Sequence, residues 1–390
     1  DMPDNDTLII VLGDVDALFI AHMAEGDAVM LSMTGNKGAK SHPIGTGPFR
    51  FTKWVRGDRV EMVRFDGYWN PELPYLDKVT FKFIGDASAQ LAALKAGDIL
   101  VLENMRYYAQ EEGKGCTSEE QAAFAKELAS FGDVYVNDAF GTAHRAHASL
   151  DAITRHIPVA VAGFLMRKEI DYFNRVFSQP VRPVAAIMGG AKVSDKIGAI
   201  NNLLRRVDKV LIGGGMMFTF LKAQGLEIGN SIVENEMLDT AREIMENARD
   251  SQAKFYLPVD CVVADRVEPT ANIRIIPVQE IPAGWSGLDI GPASMRLFAE
   301  ALQDVRTILW NGPMGLFEME PFARGTFFMA HTLADSYALT IVGGGDTDVA
   351  VHTAGESSNM SYISTGGGAF LHLMEGKELP GMASLNDGKK

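Results

Sequence analysis

Gly189-Gly190-Ala191-Lys192-Val193-Ser194-Asp195-Lys196 is the stretch from which the fold of this chain is read. It follows an apolar run, residues 183–188, with the character of a buried strand. It precedes residues 197–206, where Ile197, Ile200, Leu203 and Leu204 recur at helical spacing. A strand, a glycine turn and a helix together present backbone N–H groups and a positive helix end to an anion. Lys192 and Lys196, four apart on one face, add point charges suited to phosphate. Alone, the stretch is equally an ordinary turn with solvated lysines. The remainder of the chain decides between the two.

The pattern repeats downstream. Residues 209–212 read as a strand ending at Gly213-Gly214-Gly215, before a helix over 216–224. Residues 307–310 are a strand running into Asn311-Gly312-Pro313. Residues 339–342 end at Gly343-Gly344-Gly345-Asp346-Thr347, and residues 362–364 at Thr365-Gly366-Gly367-Gly368. Further helices are expected over 235–250 and 292–303, with strand pieces at 255–259 and 262–263. Glycine turns at several strand ends predict a nucleotide crevice along the carboxyl edge of a parallel sheet. Upstream, residues 118–130 read as an amphipathic helix capped by Ser118, and 134–136 as a short strand. The loop after that strand sets Arg145 between His144 and His147, an arrangement suited to an anion.

The totals narrow the class. The chain has 390 residues, 47% of them hydrophobic and 22% charged, enough for two or three domains with their own cores. No apolar run approaches the ~18 residues of a membrane span. The first residues, Asp1-Met2-Pro3-Asp4-Asn5-Asp6, lack the pattern of a signal peptide. Cys116 and Cys261 stand far apart and read as reduced thiols, so a cytoplasmic protein is expected. A net charge of −14 without a basic stripe argues against nucleic acid, and makes any anionic substrate depend on local arginines and lysines.

Residues 1–98 have another character. Short strands are expected at 8–12 and 28–33, a hairpin from 49–54 and 59–64 about Gly57-Asp58, a turn at 66–71, a strand at 78–83 and a helix at 87–96. The passages HPIGTGPFRFTKWVRGDRVEMVRFDGYWN and LDKVTFKFIGDASAQLAALKAGDI resemble the extracytoplasmic solute-binding proteins of the peptide and nickel transporter class. The segment corresponds to a fragment of one lobe of such a protein.

From residue 97 onward a second resemblance takes over. LENMRYY, NDAFGTAHRAHAS, GFLMRKE, GGAKVSDKI, LIGGGMMFTFLKA, LPVD, GWSGLDIGP, LWNGPMGLFE, VGGGDT and STGGGAFLHLMEGKELPG resemble the phosphoglycerate kinase family, in order and spacing, over residues 97–388. The resemblance implies two α/β domains closing over the substrates, the C-terminal one a doubly wound parallel sheet. The expected organisation is a β-rich foreign segment over 1–98, the remainder of an acid-binding domain over 99–178, a nucleotide domain over 179–370 and a C-terminal segment over 371–390.

The resemblance also implies the site. Lys192 contacts the transferred phosphoryl group, and Gly367 and Gly368 form the loop beside it. Gly189, Gly190, Ala191, Lys196, Asn311, Gly345 and Thr347 lie at the nucleotide phosphates. Gly213, Gly214 and Gly287 line an adenine slot, Glu318 accepts the ribose hydroxyls, and Asp346 holds Mg²⁺. Arg106 and Arg145 bind 3-phosphoglycerate or 1,3-bisphosphoglycerate, with ATP or ADP as the other substrate. Arg182 is a weaker candidate outside the site. Neither nucleic acid nor membrane is an expected partner, and a monomer is expected.

One departure qualifies the implied activity. The family opens with an Arg-Val-Asp-Phe-Asn-Val-Pro-like loop, a further arginine and a Ser-His-Leu-Gly-Arg-Pro-like loop. These have no counterpart in residues 1–96. Impaired phosphoryl transfer is therefore expected. The alternatives are a nucleotide-binding protein without transferase activity, and a solute- or peptide-binding module resting on residues 41–98.

Overall fold

The structure, a computed structural model, describes residues 47–56, 59–68, 77–82, 102–178, 180–251 and 253–385. The chain divides into two compact units, Asp1–Glu103 and Asn104–Lys390. In the first, β1 (Phe49–Val55), β2 (Arg59–Arg64) and β3 (Lys78–Lys82) form an antiparallel sheet in that order. The alternating residues of β1 and β2 pair from Phe49 with Arg64 to Val55 with Arg59, the expected hairpin. The strands expected at 8–12 and 28–33 and the helix at 87–96 lie outside the described residues, as does the second half of the turn at 66–71.

The second unit opens with α1 (Ser118–Ala129). Its cap is Thr117, not Ser118. The Thr117 hydroxyl accepts from the Glu120 N–H at 3.2 Å, and the Thr117 N–H donates to the Glu120 carboxylate at 2.7 Å. Glu120 stands three residues after Thr117, which is the reciprocal spacing a capping box requires. Strand β4 (Val134–Asn137) follows and pairs in parallel with β5 (Val159–Ala162). Among the described residues this sheet has only those strands, and Val134 and Val136 on β4 are 42% and 55% exposed. Helix α2 (Phe164–Phe177) then leads into the larger sheet.

That sheet is parallel, in the order β14-β13-β12-β6-β7-β8. Its strands are β6 (Val184–Met188), β7 (Lys209–Ile212), β8 (Lys254–Tyr256), β12 (Thr307–Asn311), β13 (Leu339–Gly343) and β14 (Tyr362–Ile363). Every residue of β6, β7 and β12 is buried. That is why β6 reads as an unbroken apolar run and β7 and β12 carry polar residues only at their ends: helices cover both faces of a parallel sheet. Helices α3 (Ile197–Leu203), α4 (Met216–Ala223) and α5 (Leu238–Asp250) make the connections on one side of the switch in strand order. On the other side, α6 (Pro292–Leu302), α7 (Arg324–Ala334), α8 (Gly345–Thr353) and α9 (Gly367–Met374) do so. Trp310 is fully buried at the centre, with its indole N–H donating to the Gly312 carbonyl at 2.9 Å.

One feature departs from the alternation of strand and helix. After β8 the chain builds a separate antiparallel sheet in the order β10-β9-β11, from β9 (Asp260–Ala264), β10 (Ile273–Pro277) and β11 (Ser286–Ile290). Pro258, which cannot donate to a ladder, separates β8 from β9. Asp260 then turns to α6, where its carboxylate accepts from the N–H groups of Ala293 and Ser294 at 2.9 and 2.7 Å.

The last described residues return to the β4–β5 region. The Asn137 side-chain amide donates to the Gly381 carbonyl at 3.0 Å, and the Gly381 N–H donates to Ala143 at 2.9 Å. Leu385 packs against Ile153 and Ile157.

Candidate active site

The glycine turn after β6 is held by backbone. Gly190 has φ +96°, and the N–H groups of Gly189 and Gly190 donate to the carbonyls of Asn311 and Pro313 at 2.9 Å each. A Cβ at Gly189 would overlap the backbone of Gly312 and Pro313. Gly214, with φ +65°, leaves equally little room against Gly190. Three glycine turns are thus interlocked, and only residues without a side chain fit them.

The loop offers fewer backbone donors than the bare turn predicts. Gly189 and Gly190 are engaged as above. The amides of Val193 and Ser194 donate to the Glu234 carboxylate at 2.6 and 3.0 Å. Ala191, Lys192 and Asp195 retain amides without a partner among the described residues. The starts of α8 and α9 add more such groups: Gly345 faces open space, and a Cβ at Gly367 would meet only the Gly345 nitrogen, at 3.9 Å.

Two cavities meet here. One, of about 380 Å³, is lined by Lys192, Lys196, Asn311, Asp346, Thr347, Gly367 and neighbouring glycines. The other, of about 410 Å³, is mainly apolar, with Gly214, Met217, Phe218, Ile232, Gly287, Leu316 and Glu318 in its wall. Gly190, Ala191, Pro313 and Asp346 line both. Gly213 stands one layer behind the apolar cavity, against Met314. A Cβ at Gly287 would strike Phe218, so that glycine lets the phenyl ring form the floor.

The charges differ in state. Lys192 is exposed, with no salt bridge among the described residues. Lys196 is half-buried, its Nζ donating to the Gly189 and Asn311 carbonyls at 2.7 and 3.0 Å. Burial pushes its ammonium down to about 8, against the pull of Asp346 and Asp195. Asn311 and Thr347 brace the turns: the Asn311 amide donates to the Gly343 carbonyl at 2.7 Å, and the Thr347 hydroxyl accepts from Gly312 at 2.7 Å. Asp346 is an exposed carboxylate with no hydrogen bond among the described residues. A single oxygen donor beside a phosphate-sized cleft fits Mg²⁺, which takes its other ligands from phosphates and water. No cluster of three metal-ligating side chains exists among the described residues.

The acid side is set against the last glycine turn. Gly368 abuts the His144 ring, and the His144 and His372 rings meet edge-on at 5.1 Å. Glu169 of α2 accepts from the Ser364 and Thr365 hydroxyls at 2.7 and 2.8 Å, tying that helix to the same turn. Arg145 has a buried Nε without a hydrogen-bond partner, and so does the Nδ1 of His144. The Arg145 guanidinium thus keeps a donor that a water or an anion would satisfy. Burial, then the charges of His372 and Arg145, lower the His144 pKa. For His147, too, burial is the main cause of a lowered pKa. Arg106, by contrast, is exposed and paired with Glu112, whose carboxyl is held down to about 2 by hydrogen bonds from Lys114 and Arg106. Arg182 pairs with Asp208 at 2.7 Å, away from the site.

The structure therefore brings Lys192, Lys196, Asp346, Thr347 and Gly367 to one cleft. It sets Gly214, Gly287 and Glu318 around the adjoining cavity. His144, Glu234 and Phe218 join them. His144 was legible as one of the two histidines that flank Arg145, whereas His147 turns to Glu111; Glu234 and Phe218 carried no signal in the sequence.

A doubly wound parallel sheet with an apolar cavity opening into a glycine-lined basic cleft defines a nucleotide-binding α/β enzyme. The comparisons make this particular. Residues 71–377 match the phosphoglycerate kinase family model. Phosphoglycerate kinase of Citrifermentans bemidjiense is 57% identical over 311 residues, covering 80% of this chain and 76% of that protein. The solved phosphoglycerate kinase structures from Coxiella burnetii and Pyrococcus horikoshii align with TM-scores of 0.68 and 0.64. They are 41% and 34% identical, covering 74% and 73% of this chain and 73% and 71% of theirs. The chain belongs to the phosphoglycerate kinase family, and is by family a phosphotransferase. Residues 2–124 also match the model for the middle part of family 5 bacterial extracellular solute-binding proteins, so the chain joins sequence of two families. No helix among the described residues is long and apolar enough to cross a membrane.

Proposed function

We propose that this chain carries a working nucleotide site of a phosphoglycerate kinase beside an incomplete acid site. The reaction is reversible phosphoryl transfer between 1,3-bisphosphoglycerate with ADP and 3-phosphoglycerate with ATP. The observation that carries the reading is the junction of the two cavities at Gly190, Ala191, Pro313 and Asp346. The base lies over Phe218 in the apolar cavity, and the ribose lies toward Glu318. The phosphates enter the second cavity between Lys196 and the starts of α8 and α9.

Transfer of this kind needs positioning and charge rather than a covalent intermediate. Lys192, exposed and unpaired by any acid among the described residues, meets the charge on the equatorial oxygens. Asp346 would hold Mg²⁺, which would supply positive charge at the phosphate oxygens. Arg145 supplies the unsatisfied donor toward the phosphoglycerate. The protein acts in the cytoplasm as a monomer, closing about the Glu169–Ser364 contact.

The acid-binding loops of the family's opening are missing. Each lost charge-assisted contact weakens transition-state binding by about 1.5–3 kcal/mol, so two together lower kcat/KM roughly 10²- to 10⁴-fold. The second reading, a nucleotide-binding protein without transferase activity, is favoured by one observation: Arg106 is already paired with Glu112. A coupled steady-state assay with 3-phosphoglycerate and MgATP, run beside an MgADP titration, tests both. Slow turnover with tight MgADP supports the main reading, and MgADP binding without turnover supports the second. Turnover like that of an intact relative overturns the incomplete acid site.

A further inference from the structure

Glu234 lies 40 residues beyond Ser194 in the chain, yet its carboxylate meets the phosphate loop. One oxygen accepts from the Val193 and Ser194 amides at 2.6 and 3.0 Å, and the other accepts from the Ser194 hydroxyl. Consecutive amides converging on one oxygen form an anion nest. Here the nest is filled by the protein's own carboxylate. Burial alone would raise the Glu234 pKa, but the hydrogen bonds from Ser194 and Val193 and the charge of Lys192 hold it below the usual range.

The segment that delivers Glu234 is also a wall of the apolar cavity. The Ser231 hydroxyl accepts from the Gly287 N–H at 2.9 Å, and Asn230 and Ile232 line the cavity. The Glu234 N–H donates to the Thr219 hydroxyl at 3.2 Å, on buried α4. Five residues thus run from the base cavity to the loop that bears Lys192.

We infer that Glu234 is a positioning residue for Lys192, clamping the 192–195 loop and fixing its height to the wall of the base cavity. Ser194 completes the clamp. This inference rests on the reading of Lys192 as the lysine that meets the transferred phosphoryl group. The clamp settles which groups serve the ligand: Val193 and Ser194 hold the loop, while Ala191, Lys192 and the lysine ammonium groups remain for phosphate.

The test uses the full chain and the variants Glu234→Ala and Ser194→Ala, the latter keeping both amide hydrogen bonds and sparing the fold. Hydrogen exchange of the peptide containing Val193 and Ser194 is followed by mass spectrometry, and MgADP and Mg-adenylyl imidodiphosphate are titrated. In E234A, exchange accelerates at least about 10-fold in that peptide. Affinity for the triphosphate analogue falls about 10-fold while that for ADP changes within about threefold, because Lys192 meets only the terminal group. S194A shows the same pattern, more weakly. Unchanged exchange in folded E234A overturns the clamp. Accelerated exchange with equal losses for both nucleotides overturns the link to Lys192. Wild-type protein that binds neither nucleotide overturns the nucleotide site itself, and the exchange result then judges the clamp separately.

Discussion

Strands β4 and β6 both run into a loop that offers a basic residue to a ligand, but they are supported differently. All five residues of β6 are buried, with a neighbour strand on each side. On β4, two of four residues are exposed, and among the described residues its sheet holds only the partner β5. Beyond β6, interlocked glycine turns leave Lys192 free of acids among the described residues. Beyond β4, Arg145 has a buried donor unsatisfied, while Arg106, upstream of α1, is turned to Glu112. A ligand site is as well defined as the sheet edge it stands on, and the two halves differ in how much sheet they have.

The sharpest way to break this comparison is to perturb one glycine in each half. Gly214 has φ +65° and no space for a Cβ against the Gly190 backbone, whereas Gly115 has φ +74° and open space. Gly214→Ala is expected to cost more than about 3 kcal/mol and abolish MgADP binding, while Gly115→Ala costs about 1–2 kcal/mol and leaves binding intact. Denaturant melts and ADP titrations check both. Similar losses would mean the turns are not interlocked.

Lys196 sharpens the nucleotide half by its pH dependence. Its pKa is lowered to about 8, so below pH 8 the ammonium is charged and attracts phosphate. Above pH 8 the free protein must first take up a proton, and MgADP affinity should fall about tenfold per pH unit. Lys196→Gln should bind weakly and without that slope. A flat wild-type profile from pH 7 to 10 would remove Lys196 from phosphate binding.

Asp289 offers a further effect, on stability. It is buried beneath the apolar cavity and accepts from the N–H groups of Gly325 and Ile290 at 2.7 and 2.8 Å, yet burial still raises its carboxyl to about 8. A group protonated in the folded state and ionised in the unfolded one stabilises most below the unfolded pKa, near 4. That contribution is lost as pH rises toward 8, by up to about 1.4 kcal/mol per unit. Melting of wild type against Asp289→Asn from pH 4 to 8 should show the slope in wild type alone. The smallest effect belongs to the two-stranded sheet. Val134→Thr should change stability by no more than about 0.5 kcal/mol, against about 1–3 kcal/mol for Val184→Thr in β6. Equal losses in urea melts would show that β4 is covered.

Much of the larger half was legible in the residues because its constraints are local. Gly190, Gly214 and Gly344 adopt positive φ where a turn must leave a buried strand, so each marked its strand end. The capping error was also local: Ser118 and Thr117 are equally suitable caps until the reciprocal Glu120 is weighed. What escaped was set by distance along the chain. Glu234 reads as one acid of a charged run until folding brings it to Val193. Of the antiparallel sheet only residues 262–263 of β9 read as a strand piece, within the parallel alternation, and β10 and β11 were not read at all, because antiparallel pairing of Ile276 with Cys261 leaves no mark in either segment. Residues 1–98 were legible as another family's sequence, and residues 2–124 match that family's model.

The contact of Asn137 with Gly381 has a consequence for synthesis. A ribosome delivers the β4–β5 pair long before it delivers the residues that close over it. Asn137 then waits for a carbonyl 244 positions later, and Ile153 and Ile157 wait for Leu385. During that interval the nascent chain displays Val134 and Val136, which stay half-exposed even in the folded unit, a kind of surface that chaperones bind. The β4–β5 half is therefore translated before the larger sheet and is completed after it.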